Sequence, residues 1–593
     1  GMMGKLIADV GKLAGKTLMA THIDSWENGA QNWTAKMREE FLARRGYDPL
    51  PFLPVITGRV VDSLEISERF LWDWRKTISD LVVDNYAGCL QELAAEHGMR
   101  LSIEAYGGPC DNAPYAGRCD EPMAEFWIGG GGFPTPREMS SAAHTHGKNI
   151  IGAEAFTAAD HEKWLEHPAT IKALGDRAFC DGINRFVFHR YALQPWLNRS
   201  PGMTMGPWGI HYERTQTWWE QSKPWNVYLA RCQFMLRRGL FAADIVYLQP
   251  EAAPKGFMGH QQKGYDFDEY GAEVVLTRMS VKNGRVVLPD GMNYRILVLP
   301  DVAVMTPELL QKIKTLVEDG ATVMGRPPQK SPSLVNYPEC DAQLKKLVEQ
   351  IWGDCDGVNS TDRQLGKGRI VWPMTPEKFL LTEGVPRDFA AQDRLNFIHR
   401  KDGEMDVYFV ANPQARTVIT TCSFRVTGKK PEFWWPVTGK IEVAPMSIEE
   451  EGITNVLLTL EQHDSVFVVF KPYTLPFDSP THITHNGKLL LSVTESNRPI
   501  TINKAVYGVL DNPEFCRDVT PEIQRLVDGG EYDIPVSRMA ENGDPAQGKA
   551  KTLHVEYEIG GKQFSVSGRD SRVIHISDEA ITATIDRATY GVP

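Results

Sequence analysis

The sequence contains no CxxC pair, and its nine cysteines form an odd set without regular spacing, which fits neither a disulfide framework nor a structural zinc site; they read as mostly buried thiols. No apolar run is long enough to span a bilayer, so a helical membrane protein is excluded. Basic charge is not in excess. Sixty-four Lys and Arg against 76 Asp and Glu leave a net charge of -12, with no concentrated basic face to displace counterions from nucleic acid. GxGxxG and P-loop patterns are missing, so no nucleotide or organic cofactor is expected. EF-hand loops and HExxH are missing too, so any metal site has to be assembled from separate loops. No signal peptide follows Gly1, and there is no low-complexity tract.

What is present is a chain of 593 residues, enough for three or four domains with sizeable cores. Residues 17–240 alternate short apolar runs with amphipathic helices, the signature of βα units on a parallel sheet. Strands are predicted at 17–23, Arg100–Glu104, 149–154 and 184–189, and helices at 67–97, 169–179 and 215–238. The region 1–240 therefore reads as part of a (β/α)8-like catalytic barrel. Residues 199–226 form a long connection rich in Gly, Pro and Trp, of the kind that carries function when it is ordered. Residues 241–360 read as a small doubly wound, flavodoxin- or amidotransferase-like α/β domain, 361–475 as a β-sandwich, 472–480 as a linker, and 476–593 as a terminal β-sandwich that serves as scaffold or binds carbohydrate.

The most informative stretch is Thr21-His-Ile-Asp-Ser-Trp-Glu-Asn-Gly-Ala-Gln-Asn-Trp, where an apolar strand runs into a loop of carboxylates and rings. Four acids are expected at or just beyond strand ends: Glu27, Glu104, Glu125 and Glu154. Carboxyl ends of successive parallel strands converge on one mouth, so acids far apart in sequence meet there. Glycoside hydrolysis needs two, one protonated to assist the leaving oxygen and one ionised as base or nucleophile. Each acid has a ring within two residues (Trp26, Tyr106, Phe126 with Trp127, Phe156), and an apolar ring beside a carboxyl raises its pKa. His22 and His189 are placed to orient a sugar hydroxyl, to complete a metal shell, or simply to hydrogen-bond. Crowded carboxylates repel one another unless protons or a Ca²⁺-like cation neutralise them, and Glu125 is a candidate ligand.

The runs Asp24-Ser-Trp-Glu-Asn-Gly-Ala-Gln-Asn-Trp, Arg45-Gly-Tyr-Asp-Pro, Ser67-Glu-Arg-Phe-Leu-Trp-Asp, Glu104-Ala-Tyr-Gly-Gly-Pro, Glu121-Pro-Met-Ala-Glu-Phe-Trp and Asn184-Arg-Phe-Val-Phe-His resemble the α-L-rhamnosidases of glycoside hydrolase family 106. The resemblance implies an inverting hydrolase of terminal α-L-rhamnosides in polysaccharides, with calcium in the sugar subsite and a periplasmic or extracellular location. Carried over by motif, Glu27 is the general acid and Glu154 the general base, with Glu125 competing for the second role. Asp24, Trp26, Glu104, Trp127, His189, Trp208 and His211 are expected around the sugar. In the family the Asp-Ser-Trp-Glu strand lies midway round the barrel, so the N-terminal part of the barrel is expected to be lacking here. An open sheet edge then predicts self-association, or completion by a missing N-terminal segment. The alternative is an inactive, glycosidase-derived carbohydrate-binding or structural protein.

Overall fold

The computed structural model describes residues 1–30, 32–129, 135–159, 164–196, 198–206, 208–473, 482–485, 488–492, 500–528, 531–541, 543–559 and 561–576. Its first sheet consists of five parallel strands in sequential order: β1 (Ala20–Ile23), β2 (Arg100–Glu104), β3 (Glu121–Trp127), β4 (Gly152–Thr157) and β5 (Arg185–Phe188). All four pairings are parallel, and the helices 64–81, 89–96, 135–145 and 168–180 lie between the strands. The result is a curved half-barrel, five of the roughly eight strands that would close a complete one.

Alternation divides the chemistry of this sheet in two. Leu101, Ile103, Ala124, Phe126, Ala153 and Ala155 have no exposed surface and pack beneath the helices. The opposite, concave face carries His22, Arg100, Ser102, Glu104, Glu121, Glu125, Glu154 and Arg185. At its amino-terminal end Arg100 and Arg185 both pair with Glu121. A closed barrel fills this space with branched aliphatics; here it is mostly polar, with Met123 and Val187 among the few apolar side chains.

The expected strand at 17–23 begins only at Ala20, because residues 15–17 form a turn closed by the bridge between Ala14 and Leu18. The strand at 149–154 is displaced to 152–157, and that at 184–189 shortens to 185–188. Strand β3 is missing from the four strands given a range, although Glu125 is expected at a strand end. Pro122, which supplies no ladder donor, demotes the run on sequence grounds, yet as the second residue of the strand it is tolerated. The predicted helix at 67–97 is continuous from Leu64 to Glu96 but passes through a wider π segment at Val82–Gly88. Ser63 caps its start by accepting from the Ile66 amide at 3.1 Å. The helix at 215–238 shrinks to Lys223–Leu236, with Pro224 in its first turn.

The second domain is a six-stranded sheet in the order 362–365, 368–371, 322–324, 296–298, 245–248, 267–270, parallel except for its first strand. Helix Thr135–Thr145 joins it to the half-barrel: ten of its eleven residues, Pro136 to Thr145, are buried, between β3 and strand Phe267–Tyr270. Its polar side chains are paired across the joint, Arg137 to Asp266 at 2.9 Å and His144 to Asp268 at 2.9 Å. A β-sandwich follows, with sheets of four and six strands between 389 and 472 around Phe424, Tyr408, Val468 and Phe470. The six-stranded sheet takes its last strand, Leu240–Phe241, from the end of the barrel region. Residues 500–576 build a separate core around Tyr507, Ile523, Val555 and Tyr557. The expected linker falls largely outside the described residues. All nine cysteines are free, seven of them buried, and among the described residues no helix is long and apolar enough to cross a membrane.

Candidate active site

Register decides which acids meet. His22 stands opposite Ser102, so Asp24 continues the line of β1 beside Glu104. Glu104 is opposite Met123, two residues before Glu125, and Glu125 is directly opposite Glu154. Val187 faces Glu154, which brings His189, two residues on, to the same face. Asp24, Glu104, Glu125, Glu154, His22 and His189 thus gather at the carboxyl end of the half-barrel. Adjacent parallel strands stand only about 4.8 Å apart, so these carboxylates are close neighbours.

Each is held by specific donors. Tyr106 donates to Glu104 Oε2 at 2.7 Å, and His22 Nε2 lies 3.6 Å from Glu104 Oε1 while its Nδ1 meets Ser102 Oγ at 2.9 Å. Trp127 Nε1 donates to Glu125 Oε1. The backbone of Glu125 is fixed on both sides by Thr135, whose hydroxyl accepts from the amide at 3.1 Å and donates to the carbonyl at 2.7 Å. His189 Nδ1 lies 3.7 Å from Glu154 Oε1, and Thr157 donates to that same oxygen.

The Thr157 contact depends on a bulge. Residues 154 and 157 would face opposite sides of a regular strand, but the β3–β4 register slips between Phe126 and Trp127, and Phe156 adopts φ 61°. The extra residue returns Thr157 to the side of Glu154. Phe156 itself is fully buried against Phe126, Phe186 and Trp225, which hold it in this backbone region.

Crowding and burial show in the electrostatics. Burial, then the charges of Glu104, Glu125 and Asp24, push Glu154 up to about 7 against the opposing Thr157 bond. Glu104 is raised by burial and by Asp24, with His22 and Tyr106 opposing. His189 is held below the ordinary imidazole value by burial and by the Arg190 charge. His22, Asp24 and Glu104 bring one donor atom each within 4.8 Å of one another. The two carboxylates suit a hard, oxygen-seeking cation, whereas imidazole does not, so His22 fits such a site by holding Glu104 rather than by ligation.

Glu27 stands apart. It is exposed on the loop after β1, and its one described hydrogen bond is from Ser25 Oγ at 3.2 Å. Trp26 anchors that loop, donating to the Gly29 carbonyl at 2.7 Å and meeting Tyr86 edge-on at 6.0 Å. Trp208 is half-exposed and packs edge-on against Trp127 at 5.5 Å, forming an aromatic wall beside Glu125. His211 is buried and stacked on Trp164 at 3.6 Å, within the core rather than on the concave face. Sequence reasoning did not find Thr135 or Thr157 and took Tyr106 only as an apolar ring. Tyr106 was within reach of the strand alternation, but Thr157 was hidden by the bulge.

Carboxylates converging from successive parallel strands onto one mouth are the arrangement that glycoside hydrolysis on a barrel uses. The family follows from comparison: residues 2–448 match the alpha-L-rhamnosidases of glycoside hydrolase family 106, and the chain belongs to that family. A rhamnosidase from Novosphingobium sp. PP1Y superposes with a TM-score of 0.74 at 27% identity, over 95% of this chain and 53% of the other. A protein of Formosa agariphila named putative beta-glucuronidase is 36% identical over 600 residues, covering 100% of this chain and 50% of that protein. The chain spans about half the length of both relatives.

Proposed function

We propose that the protein hydrolyses terminal α-L-rhamnosides of oligo- or polysaccharides, with inversion, at the mouth of the half-barrel. The observation that carries this reading is the meeting of Asp24, Glu104, Glu125 and Glu154 on one face in a chain of this family. Glu154, poised at about 7, takes the proton of the attacking water, since a base works best with a pKa near the operating pH. Glu27, exposed on the loop after β1, delivers a proton to the leaving oxygen. Glu125, fixed by Trp127, is the competing base or a hydroxyl acceptor. Trp127 and Trp208 flank the sugar, and His189 binds a hydroxyl beside Glu154. Calcium fits at Asp24 and Glu104, where it would neutralise the carboxylates and bind sugar hydroxyls.

Exposed apolar side chains border both edges of the sheet, Met2, Leu6 and Met19 on the β1 side and Val187 and Leu193 on the β5 side. A second copy, or further barrel-forming chain, would cover them. A periplasmic or extracellular location is part of the same proposal. The test is release of aryl alcohol from an aryl α-L-rhamnoside in the presence of calcium. Glu27→Gln and Glu154→Gln are each expected to lower kcat at least about 10²-fold; rhamnose binding without any turnover would leave a carbohydrate-binding protein instead.

A further inference from the structure

Next to His189 the chain buries a guanidinium that makes no hydrogen bond. Arg190 is 6% exposed, and its Nε and both Nη atoms have no hydrogen-bond partner; among the described residues no other arginine has all three guanidinium nitrogens in this state. Glu213, equally buried, is the carboxylate whose charge it feels, but the two form no ion pair: Glu213 is spent on Thr215, accepting from its amide at 3.1 Å and from its hydroxyl. A buried guanidinium costs free energy unless an anion meets it, and a fold does not retain one beside its chemistry without return. The fork of five donors matches a carboxylate or sulfate bidentately.

We infer that Arg190 receives an anionic substituent, a carboxylate or sulfate ester, on the saccharide held at the mouth, so that the substrate is an acidic saccharide. This rests on the glycosidase reading for its place in catalysis, though not for the binding itself. Arg190 directly follows His189, which lies 3.7 Å from Glu154 and feels the Arg190 charge, so an anion at Arg190 is held beside the reacting centre. The backbone here is built to close tolerance. Arg190 N donates to Ile210 O at 3.0 Å, Ile210 N to His189 O at 2.9 Å and Tyr212 N to Arg190 O at 3.2 Å. Gly209, at φ 83°, has room for no side chain: a Cβ there would lie 2.7 Å from His189 Nδ1 and 3.0 Å from Arg190 Cγ. Gly209 and Ile210 therefore lie directly against the backbone of His189 and Arg190.

Two measurements test this. By calorimetry the calcium-loaded protein is expected to bind rhamnosyl-glucuronate or a sulfated rhamnoside at least tenfold more tightly than the neutral rhamnosyl-glucoside, the tighter of the two acidic ligands naming the anion. Arg190→Gln and Arg190→Met are expected to erase that preference while leaving affinity for the neutral disaccharide unchanged, and Arg190→Met to hold or raise the thermal midpoint, because an orphan charge has been removed. Equal affinity for acidic and neutral ligands in the parent protein overturns the inference, as does a lowered midpoint with parallel loss of both affinities. Lack of turnover with the preference intact would sink the hydrolase reading and leave Arg190 as an anion receptor.

Discussion

Glu154 connects local backbone to chemistry. Three carboxylates and burial raise it, and the only described donor that opposes them, Thr157, is in place because Phe156 accepts a left-handed backbone. The sign of the consequence follows from linkage: a carboxyl raised from 4.5 to about 7 on folding binds protons that the unfolded chain has released, so its contribution to stability declines as pH rises from about 4.5 to 7. Glu154→Gln is therefore expected to be more stable than the parent by about 1–3 kcal/mol at pH 8 and nearly equal to it at pH 4, read as thermal midpoints in calcium-free buffer. In the parent, kcat/KM should rise with pH through about 7 as the base ionises. A flat profile there would remove Glu154 from that role.

Among the elements, helix Thr135–Thr145 is the one on which most depends. It touches β3 through Thr135 and the second domain through Arg137 and His144, so the position of Glu125 and the seating of the second sheet share one rigid body. Arg137→Ala would strand Asp266, which is fully buried, and is expected to cost about 3–5 kcal/mol in chemical denaturation. The double change Arg137→Met with Asp266→Asn should recover most of that loss, because it removes both charges together. Legibility from the sequence ran along the same line. The βα rhythm, the second α/β unit and the sandwich texture after 365 were readable because period and turn residues are local. The extent of strand β3 was not, although its end at Glu125 was, because Pro122 speaks against a strand and only the neighbours on both sides overrule it. The acids Glu104, Glu125 and Glu154 could be named from motif and strand ends. Their partners Thr135 and Thr157 could not, because one comes from the following helix and the other depends on a bulge that only the packed aromatics impose.

For the molecule as a whole, the terminal unit behaves as a body of its own. Its core of Ile502, Tyr507, Ile523, Val555 and Tyr557 shares no member with the main core, while the half-barrel and second sheet share theirs continuously from Leu101 through Phe126 to Val246 and Leu309. Calorimetry should accordingly resolve two transitions, with the one belonging to residues 500–576 indifferent to Glu154→Gln and to Arg137→Ala. A single transition that shifts as one with either change would count against that independence.

The two faces of the β1–β5 sheet have a consequence for what this protein can become. Cohesion comes from the aliphatic and aromatic side under the helices, and the charged side contributes little to it. A change at His22, Ser102, Glu125 or Glu154 therefore spends almost none of the fold's reserve, so the face proposed to meet sugar is free to be rewritten while the face that keeps the chain folded stays as it is.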